Sequence, residues 1–129
     1  MKLIRVGVDL AKSVFQVHGV DRKEKAIWRK RLRRENWLEV LCKTVEPGCV
    51  IGMESCGGAH HWARKLQEKG FTVRLMAPQF VKPYVKSHKN DANDAEAICE
   101  AMSRPGMRFV AVKTVQQQDI RRRTAFVQS

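Results

Sequence analysis

Two short apolar runs, each closing on an acid, limit what this chain can fold into more than any other feature. Leu3-Ile-Arg-Val-Gly-Val-Asp9 alternates Ile4, Val6 and Val8 with Leu3, Arg5, Gly7 and Asp9, the period of a β-strand. Asp9 therefore falls on the face opposite Val6 and Val8. Val50-Ile-Gly-Met-Glu54 repeats the design, again with a glycine two residues before its acid. Gly7 and Gly52 would share the faces of Asp9 and Glu54 and leave room beside each carboxylate. An aspartate at a strand end often does no more than begin a turn, but here a second acid occupies the same setting. If the two strands are parallel neighbours, both acids project from one carboxyl edge, where open α/β sheets keep their sites.

Between these runs, Val14–Val20 and Lys25–Arg34 read as antiparallel strands joined by the polar turn Asp21-Arg-Lys-Glu24. In the second, Trp28 and Leu32 share one face while Arg29, Arg31 and Arg33 share the other. Lys30 and Arg34 add to the charge. Such a stripe is either a solvated edge strand whose charges block edge-to-edge pairing or a phosphate-contacting surface. Glu35–Val45 reads as a helix with Trp37, Leu38, Leu41, Cys42 and Val45 on one face, stopped by Pro47-Gly48. After Glu54, Cys56-Gly-Gly58 leads into a helix with Ala59, Trp62, Ala63 and Leu66 on one face, ended by Gly70. His60 and His61 point apart as helix neighbours, which argues against a shared metal and for surface or packing roles. Phe71–Met76 is a further strand in a βαβ rhythm. Gln79–His88 is a basic connection with Phe80 and Tyr84 interleaved, suited to a nucleic-acid backbone or to a lid. A last short strand is expected at Arg108–Lys113.

Lys and Arg number 25 against 13 acids in 129 residues, a formal charge of +12. That excess favours a polyanionic partner, because each phosphate neutralised releases counterions. No apolar run is long enough to span a membrane, and the opening stretch carries Arg5 and is too short for a signal peptide. Cys42, Cys49, Cys56 and Cys99 have no paired metal spacing and read as buried or neutral thiols in a reducing cytoplasm.

Lys89-Asn-Asp-Ala-Asn-Asp-Ala-Glu-Ala-Ile-Cys-Glu100 is the most specific stretch. At about 100° per residue, Asp91 and Asp94 lie on or beside the helix face shared by Ala95, Ile98, Cys99 and Met102, with Glu96 and Glu100 out in solvent. Acids in a first turn are favoured by capping and by the helix dipole. That accounts for their presence and leaves their inward direction unexplained. A carboxylate held against a core needs a cation or a donor to offset its desolvation. Asp9, Glu54, Asp91 and Asp94 together could hold hard ions such as Mg²⁺ or Mn²⁺. Two such ions roughly 4 Å apart activate a nucleophile and stabilise a leaving oxygen in phosphodiester chemistry.

The order Asp9, Glu54, Asp91-x-x-Asp94, the opening Val-Gly-Val-Asp-Leu-Ala-Lys12 and the stretch Arg74-Leu-Met-Ala-Pro-Gln-Phe-Val-Lys-Pro-Tyr84 resemble the DEDD, RuvC-like transposases of the IS-one-ten family of insertion sequences, nearest to their IS-eleven-eleven branch. The resemblance runs from Met1 to about Asp119. It implies a ribonuclease H-like, mixed five-stranded α/β sheet flanked by helices, with the four acids as a catalytic, Mg²⁺-binding tetrad. It also implies a cytoplasmic bacterial DNA recombinase that is directed by a structured bridge RNA and works as a homo-oligomer. Lys12, Arg29, Lys30, Arg31, Arg33, Arg34, Lys82, Lys86 and Lys89 are the candidate nucleic-acid contacts.

Family members are longer and carry a serine nucleophile in a C-terminal domain, and none of Ser13, Ser55, Ser87, Ser103 or Ser129 stands in that context. Residues 1–115 are therefore expected to form the catalytic domain, and 116–129, with Arg121-Arg-Arg123, a truncated or frame-shifted tail. Other readings stay open at this level. A sugar-kinase or actin-like ATPase also opens on a strand ending in Asp, but Leu10-Ala-Lys12 lacks the glycine its phosphate loop needs. A stand-alone Holliday-junction resolvase would use the same tetrad. An inactive nucleic-acid-binding remnant would keep only the charge.

Overall fold

The computed structural model describes residues 2–86 and 91–118, without the side chains of Asp91 and Ala92. Five strands, β1 Arg5–Asp9, β2 Val14–Val20, β3 Ala26–Arg33, β4 Val50–Glu54 and β5 Thr72–Met76, form one sheet in the order β3-β2-β1-β4-β5. β1, β2 and β3 are antiparallel neighbours, whereas β4 and β5 join parallel to β1. This is the expected mixed five-stranded sheet flanked by helices.

The β2–β3 turn closes on Asp21, whose Oδ1 accepts from the backbone N–H groups of Lys23 at 2.9 Å and Lys25 at 3.0 Å. A short carboxylate folding onto its own backbone is the local chemistry that favours Asp in turns. The sheet is flanked by α1 Trp37–Thr44, α2 Gly57–Glu68, α3 Pro78–Val81 and α4 Asp91–Ala101, and residues 115–118 are helical as well. The basic connection after β5 is thus partly helical, as α3 and a 3-10 turn at Lys82–Tyr84. The expected strand at Arg108–Lys113 shrinks to one antiparallel bridge, Val110 N–H donating to Leu75 O at 2.7 Å.

The alternation in each strand sorts side chains to two faces. Val6, Val8, Phe15, Val17, Trp28, Leu32, Ile51 and Met53 join Trp37, Leu41, Ala59, Ala63 and Leu66 of α1 and α2 in the main core. Phe15, Trp37 and Trp62 meet edge to face, with ring centroids 5.1–5.8 Å apart, the arrangement aromatic quadrupoles favour. Cys42 departs from expectation: it is exposed, because α1 turns only Trp37 and Leu41 fully inward. On the other face, Met76, Val81, Ala97, Ile98, Ala101 and Met102 form a second, smaller core beneath α4. No helix among the described residues is long and apolar enough to cross a membrane.

Candidate functional site

β1 and β4 run in parallel register, with Val6 beside Ile51, Gly7 beside Gly52 and Val8 beside Met53. One step further, Asp9 and Glu54 end their strands side by side at the carboxyl edge, on the face that carries α4. The helix reaches that face because two side chains are missing. A Cβ on Gly7 would lie 2.5 Å from Ala95 O and 2.6 Å from Cys99 N, and one on Gly52 would lie 2.5 Å from Met102 Sδ. Both acids are half-buried.

Asp94, in the second turn of α4, is also half-buried. Burial first, and then the negative charge of Asp94, push the Glu54 carboxyl above its ordinary range. The two carboxylates therefore interact as like charges. Asp91 begins the same helix, but its side chain lies outside the described residues, as does Lys89. Among the described residues no three carboxylate, imidazole or thiol groups come together as a metal site.

The inward face of α4 is wider than its periodicity suggested. Ala95, Ile98, Cys99 and Met102 are buried as expected, and Ala97 and Ala101 are buried too, since α3 and the 3-10 turn also pack against the helix. Glu96 and Glu100, expected in solvent, are instead half-buried. Glu96 pairs with Lys86 Nζ at 3.0 Å, and Glu100 pairs with Arg104. Both line a polar cavity of about 340 Å³ with Arg5, His18, Glu24 and Lys86. Arg5 is held there by three bonds, to Glu24 Oε1 at 2.7 Å, Glu24 Oε2 at 3.1 Å and Cys99 O at 2.9 Å. Burial lowers the affinity of His18 for its proton, with Glu96 opposing and Arg29 and Lys86 adding to the effect.

Sequence reasoning passed over this cavity. The signal was present in Arg5, which shares the parity of Gly7 and Asp9 and so marks that face as polar.

The candidate cations separate by face. Arg29 stands opposite His18, Arg31 opposite Gln16 and Arg33 opposite Val14. Gln16 and His18 in turn stand opposite Asp9 and Gly7, so these three arginines lie on the face of the acids. Lys30, opposite Val17, shares the other face with Trp28 and Leu32. Arg34 folds back, donating from Nη1 to Lys12 O at 3.5 Å. Lys12, Lys82 and Lys86 are exposed, and the Glu96 pairing partly occupies Lys86.

Beyond Glu54, Ser55, Cys56, Gly57, His60 and Lys113 border a second cavity of about 410 Å³. His60 Nδ1 accepts from Lys113 N at 3.0 Å, Arg64 donates to Lys113 O, and Gln118 Nε2 donates to Gly57 O at 3.3 Å. The segment after Met107 is strapped over α2 in this way. His60 is thus a buried packing group and His61 an exposed one, which stacks edgewise on Trp62.

The chain is 58% identical over 120 residues to a Pseudomonas aeruginosa protein named Probable family 20 transposase, covering 93% of this chain and 35% of that protein. It is 51% identical over 121 residues to the transposase for insertion sequence element IS1111A of Coxiella burnetii, covering 93% and 33%. The chain spans about a third of the length of the curated relatives it matches. The fold superposes with a TM-score of 0.53 on T. thermophilus RuvC, solved in complex with a Holliday junction substrate, at 14% identity and covering 77% of this chain and 91% of that one. That likeness shows the ribonuclease H-like fold. A profile of the DEDD transposases of IS110 elements, described as a transposase, matches residues 6–129, and the chain belongs to that family.

Proposed function

We propose that this chain carries the metal-dependent DNA strand-cleaving and strand-transferring site of an IS110-type transposase, with Asp9, Glu54, Asp91 and Asp94 as its carboxylates. The observation that carries this reading is the meeting of Asp9 and Glu54 at adjacent ends of parallel strands, with Asp94 close enough to raise the Glu54 pKa. The donors are oxygen-only and anionic, and their mutual repulsion calls for a cation, which suits Mg²⁺ or Mn²⁺ and not a thiolate-seeking metal. A bound ion of this kind supplies Lewis-acid activation of the attacking oxygen and neutralises charge on the leaving one. The chain's own residues set the geometry. The β1–β4 ladder fixes Asp9 and Glu54, and the two glycines let α4 bring Asp94 down beside them.

The substrate is DNA, and branched DNA follows by analogy with the junction bound by the RuvC relative. The cations Lys12, Lys82, Lys86 and Lys89 and the β3 arginines are the proposed backbone contacts. A structured guide RNA and self-association belong to the same family reading. Melting of this chain across a Mg²⁺ titration tests the site: wild type should rise in melting temperature with the metal, and Asp9→Asn and Glu54→Gln should lose most of that rise. An equal rise in all three proteins would remove the metal from the proposal.

A further inference from the structure

The acid-bearing face of the sheet continues past β1. Reading across the strands at one level, Met76, Glu54, Asp9, Gln16 and Arg31 form a single row. The next row runs Arg74, Gly52, Gly7, His18 and Arg29. At about 4.8 Å per strand, Arg31 stands roughly 14 Å from Glu54. α4 packs over β1 and β2, while Arg29, Arg31 and Arg33 of the edge strand remain exposed. Between acids and arginines, the buried side chains of β2 on this face include Gln16 and His18. A shallow cavity of about 220 Å³ lies there, walled by Gln16, Val17, His18, Arg29, Lys30 and Arg31. Alternate residues on β3 repeat at about 6.8 Å, a spacing close to that of successive phosphates on one strand.

We propose that Arg29, Arg31 and Arg33, on the acid face of β3, form a track for the phosphodiester backbone of the DNA strand that enters the carboxylate site, and that Lys30 and Arg34 take no part. This rests on the DNA-cleaving reading above and adds to it a route along one face of the sheet. Charge alone would make all five cations equivalent, whereas the pairing register does not. The three arginines share the face of Asp9 and Glu54, and Gln16, buried in the same row, lies between them beneath the path. Lys30 borders the shallow cavity, but its register position opposite Val17 puts its side chain on the face of Trp28 and Leu32. Arg34 is turned towards the Lys12 carbonyl.

The test is the salt dependence of binding to a mixed-sequence DNA duplex, with an RNA hairpin as the second arm. The triple variant Arg29→Gln, Arg31→Gln, Arg33→Gln should flatten the log K versus log salt slope on DNA by roughly 2–3 units. The double variant Lys30→Gln, Arg34→Gln should change it by less than about half a unit, although bulk charge would predict nearly two. Equal flattening per charge in both variants overturns the track, as does an unchanged slope in the triple variant, which would leave β3 a protected sheet edge. A loss confined to the RNA hairpin overturns the assignment to DNA. The triple variant should also keep the full Mg²⁺-dependent rise in melting temperature. If wild type shows no such rise while the slopes differ as expected, the metal reading fails and the DNA track stands without it.

Discussion

Gly7 lies directly opposite Gly52 on the parallel β1–β4 ladder, and α4 rests on both. The paired absence of side chains makes a trough two strands wide at the level just below Asp9 and Glu54. A helix settled in that trough carries Asp94 towards Glu54. The two glycines are not equivalent, because the atoms above them differ in their freedom to move.

Gly7→Ala places its Cβ against backbone, Ala95 O and Cys99 N, so α4 as a whole must lift. A loss of about 2–3 kcal/mol in stability is expected, at the upper end of overpacking costs. Gly52→Ala meets the Met102 sulfur, the far end of a flexible side chain, and should cost about 1 kcal/mol or less. Urea unfolding midpoints measure both, and equal losses would mean that α4 does not bear on the Gly7 backbone.

The raised Glu54 pKa sets a pH dependence with a definite sign. The folded protein keeps this proton to a higher pH than the unfolded chain, so stability falls as pH rises through the ordinary glutamate value of about 4.3 and levels off above the raised value. Without metal, Glu54→Gln should be more stable than wild type near neutral pH, with the gap closing as the pH drops below about 4. Saturating Mg²⁺ should reverse the neutral-pH ranking. Chemical denaturation at several pH values, with and without the metal, reads both effects.

Asp94→Asn and Glu96→Gln make the same charge change two residues apart on one helix. Asp94→Asn removes the like charge acting on Glu54, so metal-free stability should rise slightly and the Mg²⁺-dependent gain should shrink. Glu96→Gln gives up an ion pair whose Lys86 partner is 69% exposed, a loss of about 0–1 kcal/mol. Its metal response should match wild type. Identical metal responses in the two variants would reduce Asp94 to an ordinary acid of a helix start.

Thiol reactivity should divide the four cysteines in half. Cys42 and Cys56 are exposed, whereas burial pushes Cys49 up to about 12 and Cys99 up to about 11. The thiolate is the reactive form, so a disulfide reagent at neutral pH should titrate Cys42 and Cys56 quickly. Cys49 and Cys99 should follow only at the rate of unfolding. Fast reaction at Cys99 would mean that α4 separates readily from β1.

By itself the sequence determined what local pattern can determine. Alternation, short apolar runs and turn residues marked the five strands, and they put Asp9 and Glu54 at strand ends, on the faces of their glycines. The Asp21 turn and the Pro47-Gly48 stop were legible because their chemistry is confined to a few neighbouring residues. The order of the acids together with their flanking stretches was also enough to carry the family resemblance.

Only the tertiary structure decided which strands are neighbours and what covers each face. Strand order comes from long-range pairing, and it put Asp9 beside Glu54. Glu96 and Glu100 were misplaced from helical angle alone, since their burial depends on β2 and the segment after β5 closing a cavity around Arg5 and His18. Cys42 was misplaced for the converse reason, that its helix has less to pack against than its apolar stripe implies. The six-residue basic run from Arg29 to Arg34 looks uniform as a string. The β2–β3 register divides it, because a strand sends alternate side chains to opposite sides of the sheet and only one side holds the acids.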